Sequence, residues 1–124
     1  MIHQVTRLHY HRHGKLLDVL FSDGVMATFS AEMLRVLSPS AEVRGHGKPV
    51  LVANKRDVGI SNILPVGLYA AKIVFDDGHD SGLYSWHYLR QLHEQHDSLW
   101  QDYLERLQQA NAVRETKLDI RFSR

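Results

Sequence analysis

The sequence predicts an α+β domain: an antiparallel sheet of about five or six strands, a short helix after the third strand, and helices near the C-terminus. Three observations carry this prediction. Apolar runs flank Asp-Gly turns at Asp23-Gly24 and Asp77-Gly78. Serines stand ahead of segments with helical spacing at Ser30 and Ser85. Leu89, Leu92, His96, Leu99, Tyr103 and Leu107 then recur at intervals of three or four, one face of a helix.

Val5 to Tyr10 alternates loosely and reads as a first strand, with Gly14 marking the turn into a second, Leu16 to Phe21. Asp23-Gly24 suits the positive backbone angles of a two-residue hairpin and predicts antiparallel pairing with a third strand, Val25 to Phe29. Ser30 is placed to cap a helix over Ala31–Leu37, Glu32 favours its N-terminal dipole, and Pro39 stops it.

Between Ser38 and Leu64 the pattern weakens. Only Val50-Leu51-Val52 resembles a strand there. A strong strand follows over Leu68–Phe75, turned by Asp77-Gly78 into Gly82-Leu83-Tyr84. Ser85 caps the next helix, and the pairing of Ser98 with Gln101 predicts a helix break near Asp97. The expected core is Leu8, Leu20, Phe21, Val25, Phe29, Leu34, Ile73, Phe75, Leu89 and Leu92. One domain is drawn over residues 1–112, and 113–124 reads as a tail, either disordered or an edge strand carrying Leu118, Ile120 and Phe122. No internal repeat is read from the sequence.

With 124 residues, 44% apolar and 23% charged, the chain is an ordinary single globular domain. It contains no cysteine, which excludes disulfides, thiolate nucleophiles, thiolate zinc sites and cysteine-held iron–sulfur clusters. A net charge of +1 makes no electrostatic case for nucleic acid or an anionic membrane, so neither is expected as a partner. The segment Met1-Ile2-His3-Gln4-Val5 lacks the pattern of a signal peptide, and the expectation is a cytoplasmic protein. Nine histidines form the one compositional oddity.

Three segments carry a family resemblance: Phe21-Ser22-Asp23-Gly24, Met33 to Val43, and Asp77-Gly78-His79-Asp80-Ser81-Gly82-Leu83-Tyr84-Ser85-Trp86. Together they make the chain resemble the N-terminal domain of gamma-butyrobetaine hydroxylase, and more closely the bacterial stand-alone family named after that domain. The resemblance implies a zinc site of three cysteines and the histidine of the Asp-Gly-His turn. Here the cysteine positions fall on Ser38, Ser40 and Val43, and the histidine is His79. Hydroxyls and a hydrocarbon supply neither the charge nor the soft donors that zinc prefers. A structural zinc ion is worth about 10–16 kcal/mol, so the expectation is a lost site and a domain held by its core. The hydroxylase's iron-binding pattern, a His-x-Asp with a distant histidine, is not matched, since His79-Asp80 has no intervening residue. Related domains occur fused to the hydroxylase and to nucleotide-binding iron–sulfur carrier proteins. That implies a non-enzymatic accessory role linked to metal-cofactor systems, with a protein partner.

The candidate residues follow. His79 and His46 are candidate metal donors in the degenerate site; the plainer reading makes His79 a turn histidine bonded to backbone or Ser81. No cofactor is expected beyond weak zinc or iron binding through histidines, the competing function class. His9, His11 and His13 share one face of an extended strand, a spacing at which imidazoles chelate nickel, copper or zinc. Arg35 and Arg44, with Lys48, Lys55 and Arg56, could bind an anion or stand as solvated charge. Trp86 is a candidate binding residue whose plainer reading, with Tyr84 and Tyr88, is core or near-core packing. No nucleophile elbow or dication motif accompanies the serines and aspartates, so catalysis is not expected.

Overall fold

The computed structural model describes residues 3–39 and 51–115. Strands β1 (Val5–His11), β2 (Leu16–Phe21) and β3 (Met26–Ser30) form one antiparallel sheet in the order β1-β2-β3. Helix α1 (Ala31–Val36) follows directly. Strands β4 (Ile60–Val66), β5 (Ala70–Phe75) and β6 (Leu83–Ser85) form a second sheet, β4-β5-β6. Helices α2 (Trp86–Glu94) and α3 (His96–Gln109) complete the regular structure of the described residues.

The α+β class is observed, but as two three-stranded sheets instead of one sheet of five or six strands. Each sheet has one apolar face, and a shared core satisfies both without edge-to-edge joining. Leu17, Val19, Phe21, Ala27 and Phe29 from the first sheet meet Ile60, Ala71, Ile73, Phe75 and Tyr84 from the second in that core. Met33 and Leu34 of α1 and Leu89 and Leu92 of α2 close it. Of the expected core, Leu8 and Val25 are only partly buried against it, and Leu20 is likewise half-buried.

The two sheets repeat one another, although the sequence reading found no repeat. Phe21-Ser22-Asp23-Gly24 and Phe75-Asp76-Asp77-Gly78 make the same three-residue hairpin, in place of the two-residue turn expected. The Phe21 N–H donates to the Val25 carbonyl at 2.9 Å, and the Phe75 N–H to the His79 carbonyl at 3.0 Å. Gly24 and Gly78 adopt φ of 88° and 92°, a region open to glycine. Bulges match as well: Val5 and Leu8 lie opposite Phe21 and Val19, as Ile60 and Ile63 lie opposite Phe75 and Ile73. Ser30 and Ser85 cap α1 and α2 by accepting from the N–H of Met33 and Tyr88, each at 3.0 Å. A Leu-Arg pair then stands four and five residues past each cap, Leu34-Arg35 and Leu89-Arg90. One extra residue between Gly78 and Ser85, relative to Gly24–Ser30, hides the correspondence from the eye.

Strand β4 falls where the sequence reads as loop. Its bulge sets Ile60 and Ile63 on one side at a spacing of three, which erases the two-residue alternation. Pro65 is tolerated because β4 is an edge strand. The strand expected from Leu68 starts at Ala70, since Gly67 at φ 60° turns the hairpin there. Leu51 and Val52 are irregular, packing against a small cluster of Val36, Tyr103 and Leu107, while Val50 lies outside the described residues. The helix break falls at Gln95, and Ser98 donates to the Gln95 carbonyl instead of capping.

The sequence beyond Ala112 begins with residues that pack on the domain. Asn54 and Arg56 donate backbone N–H bonds of 2.9 Å to the carbonyls of Val113 and Arg114. The Arg114 guanidinium grips both oxygens of the buried Glu32, at 2.9 and 2.8 Å, and the Tyr103 hydroxyl donates to the same carboxylate. Glu32, expected only to favour a helix dipole, is thus a buried carboxyl held by Tyr103 and Arg114. Leu118, Ile120 and Phe122 lie outside the described residues.

Candidate functional site

Repetition places the end of α1 against the turn of the second half. His79, the residue after Gly78, is buried and its Nε2 lies 2.8 Å from Ser38 Oγ, just past α1. Its own N–H donates to Asp77 Oδ1 at 3.0 Å. Gly82 is required here, because a Cβ at that position would stand 2.5 Å from Ser38 Oγ. The Tyr84 hydroxyl donates to the Leu34 carbonyl, and burial pushes that phenol far above its usual range. Of the positions that the resemblance assigns to zinc ligands, Ser38 and His79 are therefore brought together; Ser40 and Val43, like the candidate donor His46, lie outside the described residues. An alcohol hydrogen-bonded to an imidazole, in a chain with no cysteine, does not match the three-thiolate set the resemblance implies.

Beside this pair, Arg35 Nε and Lys55 Nζ lie 2.8 and 2.7 Å from Asp77 Oδ2. Burial alone would raise the Asp77 carboxyl, but bonds from Lys55, the His79 N–H and Arg35 outweigh it and hold the group at about 2. Arg35 is accordingly an ion-pair member within the fold, although its buried Nη1 has no hydrogen-bond partner among the described residues. Arg90, its counterpart on α2, pairs with Asp23 at 3.0 Å, so each half's helix holds the other half's turn. Arg44 and Lys48 lie outside the described residues, and Arg56 pairs with Glu115. Trp86 is buried and its indole N–H donates to the Leu68 carbonyl at 2.9 Å, which makes it an anchor of the β4–β5 hairpin.

The outward faces of the two sheets differ. On the first, His9 is paired across the ladder with Asp18, and Asp18 with Thr28. His11 Nε2 lies 2.7 Å from Asp18 Oδ2, and Thr28 Oγ1 donates to Oδ1 at 2.8 Å. The Asp18 carboxyl is lowered first by the His11 bond and then by that of Thr28. Of the three alternating histidines, His9 and His11 thus gather around a carboxylate, whereas His13 sits in the turn beyond the strand. Asp18 was missed from sequence; counting back across the Gly14 turn would have placed it opposite His9. On the second sheet the register sets Leu64, Lys72 and Leu83 in one row, with Val66 beside them. Leu64, Val66 and Leu83 are exposed there, as are Leu68 and Tyr69 of the adjoining turn. Among the described residues, no helix is long and apolar enough to cross a membrane.

Comparisons with known proteins bear on this geometry. Residues 8–90 match the family model described as gamma-butyrobetaine hydroxylase-like, N-terminal. Two NMR solution structures are 50% and 42% identical, with TM-scores of 0.81 and 0.83, and are matched over 98% and 97% of this chain and 92% and 96% of theirs. A crystal structure of a protein of unknown function, of the DUF971 family from Acidithiobacillus ferrooxidans, is 31% identical with a TM-score of 0.62. That match covers 72% of this chain and 91% of the other. No curated protein matches the chain. The residues matched include both Phe-x-Asp-Gly turns, helix α1, the cap and first residues of α2, and His79, and the chain belongs to the gamma-butyrobetaine hydroxylase-like N-terminal family.

Proposed function

We propose that this chain is a non-enzymatic accessory domain of the cytoplasm that docks a protein partner on the outer face of its second sheet. The observation that carries this reading is the exposed apolar ledge of Leu64, Val66, Leu68, Tyr69 and Leu83. Contiguous exposed apolar surface of this kind is a mark of interaction sites. Lys72 lies in the middle of it, its contact with Asp80 stretched to 3.7 Å. The partner that fits is an apolar protein surface carrying a carboxylate opposite Lys72. The resemblance to domains fused to the hydroxylase and to iron–sulfur carrier proteins supports looking for such a partner among metal-cofactor systems.

In this reading the thiolate zinc site is lost and the Ser38–His79 bond now fastens the same junction. Retrieval from native lysate by wild-type chain and by the Leu64→Glu/Leu83→Glu variant tests the proposal. A reproducible partner held by wild type and released by the variant, with circular dichroism unchanged, is expected. Identical retrieval by both chains, or no partner and a clean monomer, would overturn it.

A further inference from the structure

The repeat makes the first sheet's outer face interpretable. Counting from the matched Phe21 and Phe75, Asp18 stands where Lys72 stands, and Thr28 where Leu83 stands. His9 and His11 occupy the positions of Leu64 and Val66. The backbone accepts leucine, valine and lysine at this grid, so nothing in the fold demands two imidazoles and a carboxylate there.

We infer that His9, His11 and Asp18 form a binding site for one borderline divalent cation, of the zinc, nickel or copper class. Their donor atoms all lie within 4.8 Å of one another, close enough to converge on one ion with only side-chain adjustment. The His9 and His11 ring centroids are 4.2 Å apart, a consequence of alternate positions on one strand. Two imidazoles and one carboxylate match the preference of these ions, while calcium and magnesium would require mainly oxygen donors. Thr28, by donating to Asp18 Oδ1, orients the carboxylate and leaves Oδ2 directed to the histidines, the outer-shell support that metal ligands ordinarily have. Both histidines are exposed on an edge strand, so the remaining coordination positions face solvent. Such a site binds an ion exchangeably and accepts an added donor from water or from another molecule. It is separate from the docking ledge, so either inference can fail without the other.

Isothermal titration of tag-free full-length chain with zinc chloride and with nickel sulfate tests this. One ion per chain is expected, with a Kd on the order of 1–10 μM. Asp18→Asn and His11→Gln should each weaken binding at least tenfold, and His13→Gln should leave it within twofold. Absence of saturable binding up to millimolar metal would overturn the inference. So would unchanged affinity in Asp18→Asn and His11→Gln, or an equal loss in His13→Gln, because the ion would then be held elsewhere.

Discussion

The two halves of this molecule share a skeleton and differ in what they show to solvent. Both are three-stranded meanders with the same bulge, the same Phe-x-Asp-Gly hairpin and a serine-capped helix bearing Leu-Arg. Inward positions are apolar in both, because one core buries them together. Outward, His9, His11, Asp18 and Thr28 of the first half stand where the second has Leu64, Val66, Lys72 and Leu83. Positions the fold leaves unconstrained have therefore taken two unrelated chemistries, one proposed above for an ion and the other for a protein surface. A difference confined to the faces that packing does not dictate is better explained by function than by folding.

The halves also exchange charges, unequally. Asp77 receives Arg35 and Lys55 with 19% of its side chain exposed, whereas Asp23 receives Arg90 with 49% exposed. Asp77→Asn would leave two cations facing a neutral amide, and a loss of about 1–2 kcal/mol is expected, the residual solvent access keeping it below the value for a fully buried pair. The corresponding fall in Tm is about 4–8 °C. The group's folded value of about 2 lies below its ordinary 3.8, so its stabilisation is complete above that ordinary value and disappears as pH falls towards 2. Acid unfolding curves of wild type and Asp77→Asn should converge over that interval. Asp23→Asn should lower Tm by less than half as much, because its carboxylate is better hydrated. Equal shifts in thermal melts would show that the two crossings carry the same weight and that the halves are more alike energetically than their burial suggests.

Much of this was legible in the sequence, for reasons that differ by element. Strands β2 and β3 are short apolar runs on either side of Asp23-Gly24, and Ser30 and Ser85 are capping residues whose partners lie within one turn, so local chemistry determined them. Strand β4 was hidden because its bulge and Pro65 break the pattern that an edge position permits. The division into two sheets depends on which apolar faces meet, a long-range choice that no local period records. At the second Asp-Gly turn, His79 was legible from its place after the glycine, but its bond to Ser38 spans 41 positions and needed the fold. Asp18 stayed unnoticed because it carries no motif, only a place across a ladder from His9.

The smallest expected effect sharpens the comparison most. His11→Ala removes an exposed side chain whose bond to Asp18 is open to water, and surface pairs of this kind add little stability. In metal-free buffer the variant's Tm should stay within about 2 °C of wild type. Excess chelator should leave the wild-type melt unmoved as well, since the core in this account folds unaided. A fall of about 8 °C or more in the variant would mean that the His9–His11–Asp18 group supports the fold, and one in chelator as well that it does so through a bound ion. The first half's polar face would then be structural, and the contrast with the apolar ledge of the second would no longer point to function.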